Sequence, residues 1–386
     1  MWRNIASNAM TFLVVLVFLA GGFLLWAQNE YSAEGPLEQP MCLQVQRGSN
    51  FGRVSRDLAE QGAVSSDMLF RLGADYTDKT GALKAGSYLV PERASMSEIT
   101  EIVTKGGAST CGTEVVYRIG VNSAEVQVRE LDPETGRYVE RIEFDPASEE
   151  PRPEGYDAVK SEVGTRFRVA LAEGVTSWKV VEELGLIDIL EGEAGDRPAE
   201  GSLAPDSYEI SPGDARADLI ARMTQAQEAI LAQAWANRAE GVPYASPEEA
   251  LVMASIVEKE TGVADERPMV ASVFVNRIER GMRLQTDPTV IYGLTNGEGV
   301  LGRGLRQSEL RKQTPYNTYV IDGLPPTPIA NPGRASIEAA LNPAQSEYLY
   351  FVADGSGGHA FATTLDEHNR NVANWRKIEA EKAEGN

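Results

Sequence analysis

The chain has 386 residues and carries 57 acidic against 36 basic side chains, a formal net charge of −21. A surface this acidic repels a phosphate backbone, which excludes general nucleic-acid binding. Hydrophobic residues make up 42% of the chain and charged residues 24%, a composition typical of a folded protein with a core and not of a disordered chain.

The N-terminus predicts a membrane anchor. Residues 10–27 form an uncharged apolar run, which as a helix would be about 27 Å long, close to the thickness of the hydrocarbon layer. Arg3 precedes this run and two glutamates follow it, so the positive-inside preference places residues 1–9 in the cytoplasm. A cleaved signal peptide is the alternative, but no A-x-A site follows the run, and Trp26 suits an interfacial anchor. We therefore predict a single-pass inner-membrane protein with a periplasmic body.

A polar linker is predicted at residues 28–38, and the unit at 39–110 has a β-α-α-β pattern followed by a further helix. This pattern resembles a LysM-like module, with a plain α/β spacer as the alternative. Cys42 and Cys111 also leave two possibilities open. Outside the cytoplasm they can form a disulfide, or each can be a separately buried thiol.

The larger domain is predicted at residues 111–378, with mixed strands and helices. Alternating residues at about 122–160, with a turn at 133–136, predict an additional β-hairpin region, and the charged residues 379–386 predict a tail. The predicted fold class is therefore α+β, with one transmembrane helix, a small LysM-like module and a larger mixed α/β domain.

Several kinds of active site are disfavoured by the sequence. The two cysteines and two histidines do not have the close spacings of zinc sites, and there is no HExxH motif, P-loop or GxGxxG following a strand. A Ser-His-Asp triad would have to use His359 or His368. If the chain is an enzyme, its reactive groups are expected to be carboxylates, with no metal and no organic cofactor.

One predicted helix carries such carboxylates. Ser246 suits the N-cap, Pro247 the first helical position, Glu249 a capping box, and Gly262 the C-terminal stop, which predicts about 15 helical residues. The stretch 250–257 is apolar on nearly every side, so we expect it to be buried.

Two glutamates follow this apolar stretch, Glu258 and Glu260. Helical geometry mildly favours Glu260 over Glu258 as the reactive carboxylate, because Glu260 lies beneath larger apolar neighbours. The negative end of the helix dipole and partial burial both raise the pKa of a carboxyl there, as a general acid requires. The alternative is a structural ion pair between this glutamate and Arg277 or Arg280 on the next helix.

Residues 254–294, ASIVEKETGVADERPMVASVFVNRIERGMRLQTDPTVIYGL, closely resemble the YceG-like (MltG) family of endolytic murein transglycosylases. Further matches are EGSLAPDSYEI at 200–210, TPYNTYVIDGLPPTPIANPG at 314–333 and YLYFVADGSGGHAFATTLDEHN at 348–369. The resemblance implies that Glu260, the second glutamate of EKET, is catalytic. It also implies a cleft whose substrate contacts are Gln285, Thr286, Asp287, Tyr292, Asn317, Thr318 and Tyr319. The alternative is that these residues have turn and core roles.

The function implied by this resemblance is lytic cleavage of the β-1,4 bond from N-acetylmuramic acid to N-acetylglucosamine, which leaves 1,6-anhydromuramoyl ends and terminates nascent strands. The implied partners are peptidoglycan strands, the membrane and peptidoglycan synthases. Two alternatives stay open: a muramidase-type hydrolase that uses Glu260 and Asp287, and a non-catalytic anchor that binds the cell wall.

Overall fold

The computed structural model describes residues 2–105, 110–148 and 150–384. The chain divides into two compact units. The first contains the N-terminal helix, the residues up to Val116, and the segments Gln127–Phe144 and Glu150–Phe167. The second contains Tyr117–Val126, a short segment that begins at Asp145, and the chain from Arg168 onward.

Helix α1 covers Trp2–Ser32 and includes one apolar stretch, Met10–Ser32, that is long enough to cross a membrane. The helix is longer than predicted, because it continues through the first five residues of the expected linker at 28–38. Contacts within the first unit explain this extension: the Tyr31 hydroxyl donates to Thr100 Oγ1 at 2.8 Å, so the last turns of α1 are held against the folded module.

The module that follows has the predicted β-α-α-β pattern and a further helix. Its elements are β1 (Met41–Val45), α2 (Phe51–Glu60), α3 (Asp67–Tyr76), β2 (Gly86–Val90) and α4 (Met96–Lys105). Strands β1 and β2 are antiparallel, with Met41 opposite Val90. Ser95 and Glu98 form a reciprocal cap at the start of α4. The order of elements is confirmed, whereas the likeness to LysM stays a prediction.

Cys42 and Cys111 form a disulfide in the first unit. Of the two possibilities that the sequence leaves open, the structure therefore has the bridge. It joins residues 69 positions apart, at the two ends of the module. Closing a loop of this length restricts the unfolded chain and so stabilises the folded module.

A five-stranded sheet follows, with the order β5-β4-β3-β6-β7. Its strands are β3 (Thr113–Ile119), β4 (Ala124–Asp132), β5 (Arg137–Phe144), β6 (Arg166–Leu171) and β7 (Ser207–Ile210). Strands β4 and β5 form the hairpin predicted within 122–160. In its turn the Asp132 carboxylate accepts the backbone N–H of Glu134 at 2.9 Å, and Gly136 takes the positive φ of 64° that the turn requires. A short helix, α5 (Tyr156–Ser161), connects the hairpin to β6.

The second unit is mainly helical. Its helices are α6 (Ser177–Leu186), α7 (Arg216–Ala236), α8 (Pro247–Glu260), α9 (Arg267–Glu279), α10 (Asp287–Thr295), α11 (Gln307–Leu310), α12 (Arg334–Leu341) and α13 (Leu365–Glu384). Before α13 the chain forms an antiparallel pair, β8 (Tyr350–Ala353) and β9 (His359–Ala362). Helix α13 continues into the segment predicted as the tail 379–386, of which residues 385–386 lie outside the described residues.

Helix α8 is the central element of this unit and contacts α7, α9, α10 and α12. Residues 250–257 are all buried, as their apolar character predicts. Ser246 caps the helix, but the Glu249 carboxylate accepts the N–H of Ala245 and not that of Ser246, so the predicted capping box is only half correct. Gly262 directly follows the C-cap Thr261, where a stop glycine is expected, but its φ is not positive, so the extended Thr261 and not a left-handed glycine ends the helix.

Candidate active site

Glu260 is the last residue of α8, at the point where the helix leaves the core. Its side chain is half-buried, and Thr261 turns away in extended conformation, with φ −139° and ψ 132°. Burial raises the pKa of the Glu260 carboxyl above its ordinary value, and the neighbouring charge of Asp287 acts in the same direction. The Thr286 hydroxyl bond and the charges of His359 and Arg277 oppose this rise without cancelling it.

Glu258, the other candidate, has a different environment. Its carboxylate accepts the backbone N–H of Gly333 at 3.0 Å and lies 3.9 Å from the Arg267 guanidinium. It is also almost fully buried, with 6% of its side chain exposed. Glu258 is therefore occupied by protein partners, as a structural residue would be, whereas Glu260 accepts only one hydrogen bond among the described residues.

That hydrogen bond comes from Thr286. This residue is the N-cap of α10, but its hydroxyl donates to Glu260 Oε1 and caps nothing. Its backbone N–H donates to Thr318 Oγ1 at 3.0 Å, and Thr318 Oγ1 is 2.9 Å from Thr289 Oγ1. All three threonines are buried, so this network fixes the direction from which Glu260 is contacted.

The alternative of an ion pair at Glu260 is not what the structure shows. Among the described residues, no Lys, Arg or His nitrogen lies within 4.0 Å of the Glu260 carboxylate. Arg277 instead donates to the backbone carbonyls of Leu349, at 2.7 Å, and Leu284. An unpaired carboxyl in a partly buried position favours its protonated form, which is what a general acid needs.

A cavity of about 530 Å³ opens beside Glu260. Its polar lining includes Gln285, Asp287 and Tyr319 from the predicted set, together with Arg277. The remaining lining residues are mostly aromatic or apolar, namely Phe274, Tyr350, Phe351, Val352, Leu365, His368 and Val372. A concave site with convergent polar groups on an apolar surround is typical of ligand binding.

Asp287 and Tyr319 form a pair at this cavity. The Tyr319 hydroxyl donates to Asp287 Oδ1 at 2.7 Å. Burial, and then this bond, raise the pKa of Tyr319, so its hydroxyl stays a donor at neutral pH. Gln285, one residue from Thr286, has a positive φ of 50°, an uncommon conformation for a non-glycine residue and one that is often found at functional sites.

Four residues of the predicted set do not line this cavity. One is Thr286, whose hydroxyl contacts Glu260, and the other three are Asn317, Thr318 and Tyr292. Asn317 is fully buried and its amide donates to three backbone carbonyls, including that of Lys312 at 2.7 Å. Thr318 is fully buried in the threonine network. Tyr292 donates to the Glu200 carboxylate at 3.2 Å and packs on Tyr316. Their positions match the turn and core roles that the sequence left as the alternative.

Sequence reasoning assigned no site role to Tyr350 or His368, although both lie in the matched segment 348–369. The His368 ring stacks on that of Tyr350, with centroids 5.2 Å apart. Burial, and then the charge of Arg277, lower the pKa of His368, so its ring is neutral near pH 7. The matched segment was the signal for these residues, but it could not show which side chains face the cavity.

His359 lies near the site but is engaged elsewhere. Its Nδ1 is 2.7 Å from Glu266 Oε2, and its backbone N–H donates to Glu266 Oε1 at 2.9 Å. Among the described residues, no serine hydroxyl bonds to its other ring nitrogen, Nε2, as a Ser-His-Asp triad would require. Within the described part of the chain, no group of three or more His, Cys, Asp or Glu side chains is arranged to hold a metal ion.

Comparisons with known proteins identify the family of this chain. Residues 43–374 match the model of the YceG-like family. An endolytic murein transglycosylase of Bacillus subtilis is 38% identical over 173 residues, which are 45% of this chain and 47% of that protein. An endolytic murein transglycosylase of Streptococcus pneumoniae is 28% identical over 382 residues, covering 96% of this chain and 65% of that protein. The chain thus spans about half to two thirds of the length of these relatives.

A crystal structure of a YceG-like protein from Listeria monocytogenes is also similar, with 25% identity and a TM-score of 0.44 over 86% of this chain and 98% of that one. The family match covers most of the chain, including part of each unit and every residue of the cavity. This chain belongs to the YceG-like family.

Proposed function

We propose that this chain is a membrane-anchored endolytic transglycosylase of peptidoglycan, with Glu260 as its catalytic residue. The bond that it cleaves is the β-1,4 glycosidic bond from N-acetylmuramic acid to N-acetylglucosamine. The observation that carries the proposal is the environment of Glu260: an unpaired carboxyl with a raised pKa, held by one threonine at the edge of a cavity. The names of two relatives, both endolytic murein transglycosylases, support the same substrate.

In the first step Glu260 acts as the acid. The protonated carboxyl donates to the glycosidic oxygen while the bond from that oxygen to C1 of the muramoyl residue breaks, and C1 becomes oxocarbenium-like. The leaving N-acetylglucosamine keeps the oxygen and the proton. Glu260 is now a carboxylate, which the Thr286 hydroxyl stabilises through its hydrogen bond.

In the second step Glu260 acts as the base. The muramoyl C6 hydroxyl attacks C1, and its proton passes to the Glu260 carboxylate. The product is a 1,6-anhydromuramoyl end, and the acid is regenerated. One carboxyl thus serves both steps, so no metal or organic cofactor enters the proposal.

A muramidase-type hydrolysis is the second candidate, with Asp287 as the other carboxylate. It needs a water and a second carboxylate free to act as a base or nucleophile. Asp287 does line the cavity, but its Oδ1 already accepts the Tyr319 hydroxyl at 2.7 Å, so that oxygen is occupied. This contact favours the one-carboxyl route.

The mass of the digestion products separates the two routes. Murein treated with the full-length chain should yield fragments lighter by one water than reducing-end fragments. Asp287→Asn should still form anhydro ends, because the proposed chemistry does not use that carboxylate. Reducing ends from the unsubstituted chain, abolished in Asp287→Asn, would establish hydrolysis and contradict the proposal.

The third candidate, a non-catalytic anchor that binds the wall, predicts no cleaved strands at all. The proposal includes the anchor but adds catalysis to it. Helix α1 is the membrane span, and Arg3 supports a cytoplasmic N-terminus. The Cys42–Cys111 disulfide supports a periplasmic body, because such bonds persist outside the cytoplasm.

Recruitment forms the last part of the proposal. A LysM-like role for the first module would keep the cavity near glycan strands, and peptidoglycan synthases would supply nascent strands for termination. A test is co-purification of murein fragments with a Glu260→Gln chain, which binds strands without cleaving them. A chain whose first module is destabilised by Cys42→Ser and Cys111→Ser should retain fewer fragments.

A further inference from the structure

Arg277 is a buried cation at the proposed glycan site. It lies on α9 with 8% of its surface exposed, and it lines the same cavity as Glu260. Two of its nitrogens are held by the backbone: Nε donates to the Leu349 carbonyl at 2.7 Å, and Nη1 donates to the Leu284 carbonyl. These bonds fix the plane of the guanidinium group.

The third nitrogen, Nη2, has no such partner. Among the described residues no acceptor bonds to Nη2, and no carboxylate lies within 4.0 Å of the Arg277 guanidinium. The Tyr350 ring is 5.5 Å from its Cζ atom. Because the other two nitrogens are engaged with backbone carbonyls, Nη2 is the edge available to the cavity.

The unpaired N–H edge of a mostly buried guanidinium is left to bond with water or with a ligand in the cavity. Its planar N–H groups match carbonyl and carboxylate oxygens better than they match hydroxyl groups. Peptidoglycan strands carry two such substituents: the acetamido carbonyl on each sugar and the lactyl group on each muramoyl residue, which is a carboxylate when free and an amide when it bears a stem peptide.

We propose that Arg277 is a specificity residue of the cavity, whose Nη2 donates to a carbonyl or carboxylate oxygen of a glycan substituent. The inference rests on the proposed function for its ligand. Arg277 lines the same cavity as Glu260, so the bond to the substituent helps to set which glycosidic oxygen faces the acid.

The test is a binding measurement in the full-length chain carrying Glu260→Gln, so that no strand is cleaved during the titration. Three probes are used: glycan strands with intact stem peptides, strands stripped to free lactyl groups by an amidase, and chitohexaose, which has acetamido groups only. Arg277→Met is added to this background. The matched control is Arg267→Met, which removes a buried arginine from the same helix but outside this cavity.

Arg277→Met should weaken binding by about tenfold to hundredfold, the usual effect of losing a hydrogen bond from a charged group, and Arg267→Met should not. A loss confined to the two peptidoglycan probes identifies the lactyl group as the acceptor. An equal loss with chitohexaose identifies the acetamido carbonyl. Unchanged affinity for every probe, or an equal loss in Arg267→Met, would overturn the proposal.

The backbone bonds of Arg277 create a risk that Arg277→Met does not fold. Arg277→Lys, which keeps the charge but not the planar edge, then takes its place, with a loss of affinity expected. Independently of any change at position 277, the ¹⁵N guanidinium resonances of Arg277 should shift when a probe is added. Absence of a shift at saturation would contradict the proposal. Failure of the proposed function would look different, since strands would bind but the unsubstituted chain would not cleave them.

Discussion

The two sides of the C-terminal end of α8 differ in how completely their carboxylates are partnered. On one side Glu258 accepts the Gly333 N–H and lies beside Arg267, which also contacts Glu173 at 3.4 Å. On the other side, two residues along the same helix, Glu260 has a single hydroxyl donor and an open cavity. Both lie near the same apolar core, so burial alone does not distinguish them.

The difference lies in the partners that each carboxyl meets. Gly333 and Arg267 both contact the Glu258 carboxylate, which acts as a structural link between α8, α9 and the segment before α12. Glu260 is desolvated without a cationic partner in contact, so its neutral form is favoured. Helix geometry places both groups at the end of α8, but neighbours from distant parts of the chain assign their roles.

The largest expected effect separates these two glutamates directly. Glu260→Gln should lower the rate of strand cleavage by about 10²–10⁴-fold, because the amide cannot transfer the proton. Glu258→Gln serves as the matched control and should keep the rate, measured per folded molecule, close to that of the unsubstituted chain. Release of anhydromuramoyl fragments over time provides the measurement. Equal loss of cleavage in both variants would contradict the inferred difference between Glu258 and Glu260.

A smaller effect is expected for the hydroxyl that holds Glu260. Thr286→Val removes a hydrogen bond that lowers the pKa of Glu260, so that pKa should rise further. The pH at which activity falls on the alkaline side should therefore increase, and the maximal rate should drop by about tenfold, since the carboxylate formed in the first step loses its donor.

The control for this prediction is Thr289→Val, which alters the same buried network without touching Glu260. It should leave the alkaline limb of the pH–rate profile in place. Equal displacement of that limb in both variants would show that the network acts by packing and not through the single bond to the acid.

On the Glu258 side the expected effect is on stability. Glu258→Gln weakens the bond to the Gly333 N–H and leaves Arg267 with less compensating charge, so the free energy of unfolding should fall by about 1–3 kcal/mol. Chemical denaturation at neutral pH measures this. An unchanged midpoint would mean that the Glu258 contacts contribute nothing, and the two sides of the helix would then differ less than we infer.

The smallest effect is the pH dependence of stability at Glu260. Because its pKa is raised in the folded state, its contribution is fully present below its ordinary value of 4.5 and is lost as the pH rises through the folded-state pKa. Glu260→Gln cannot ionise, so its Tm should slightly exceed that of the unsubstituted chain at neutral pH and converge with it at acid pH. A Tm difference that does not vary with pH would contradict the raised pKa.

Much of the local structure could be predicted from the amino-acid sequence. The cap at Ser246 and the order of elements in the first module were predicted, because short-range hydrogen bonds and apolar periodicity act within one or two turns. The extension of α1 to Ser32 was not predicted, because it depends on Tyr31 meeting Thr100, 69 positions away.

Prediction of the candidate site from the sequence has the same limit, because it also depends on contacts between distant residues. Glu260 was selected from the sequence because a helix end and an apolar stretch raise a carboxyl pKa locally, and because its motif resembled a known family. The sequence could not distinguish the residues that contact substrate from those with turn and core roles. Thr318 and Asn317 lie in the same short motif as Tyr319, yet only Tyr319 lines the cavity, since the direction of each side chain is decided by what packs against that loop.

The amino-acid sequence by itself thus determined the apolar N-terminal helix, the acidic surface, the helix that ends at Glu260 and the family to which the chain belongs. Only the tertiary structure decided that Glu258 is partnered while Glu260 is not, that the cysteines are bridged, and that Arg277 and His368 share a cavity with the acid. The physical reason is that helix formation and hydropathy depend on neighbours in the chain, whereas desolvation and charge pairing depend on groups brought together by folding.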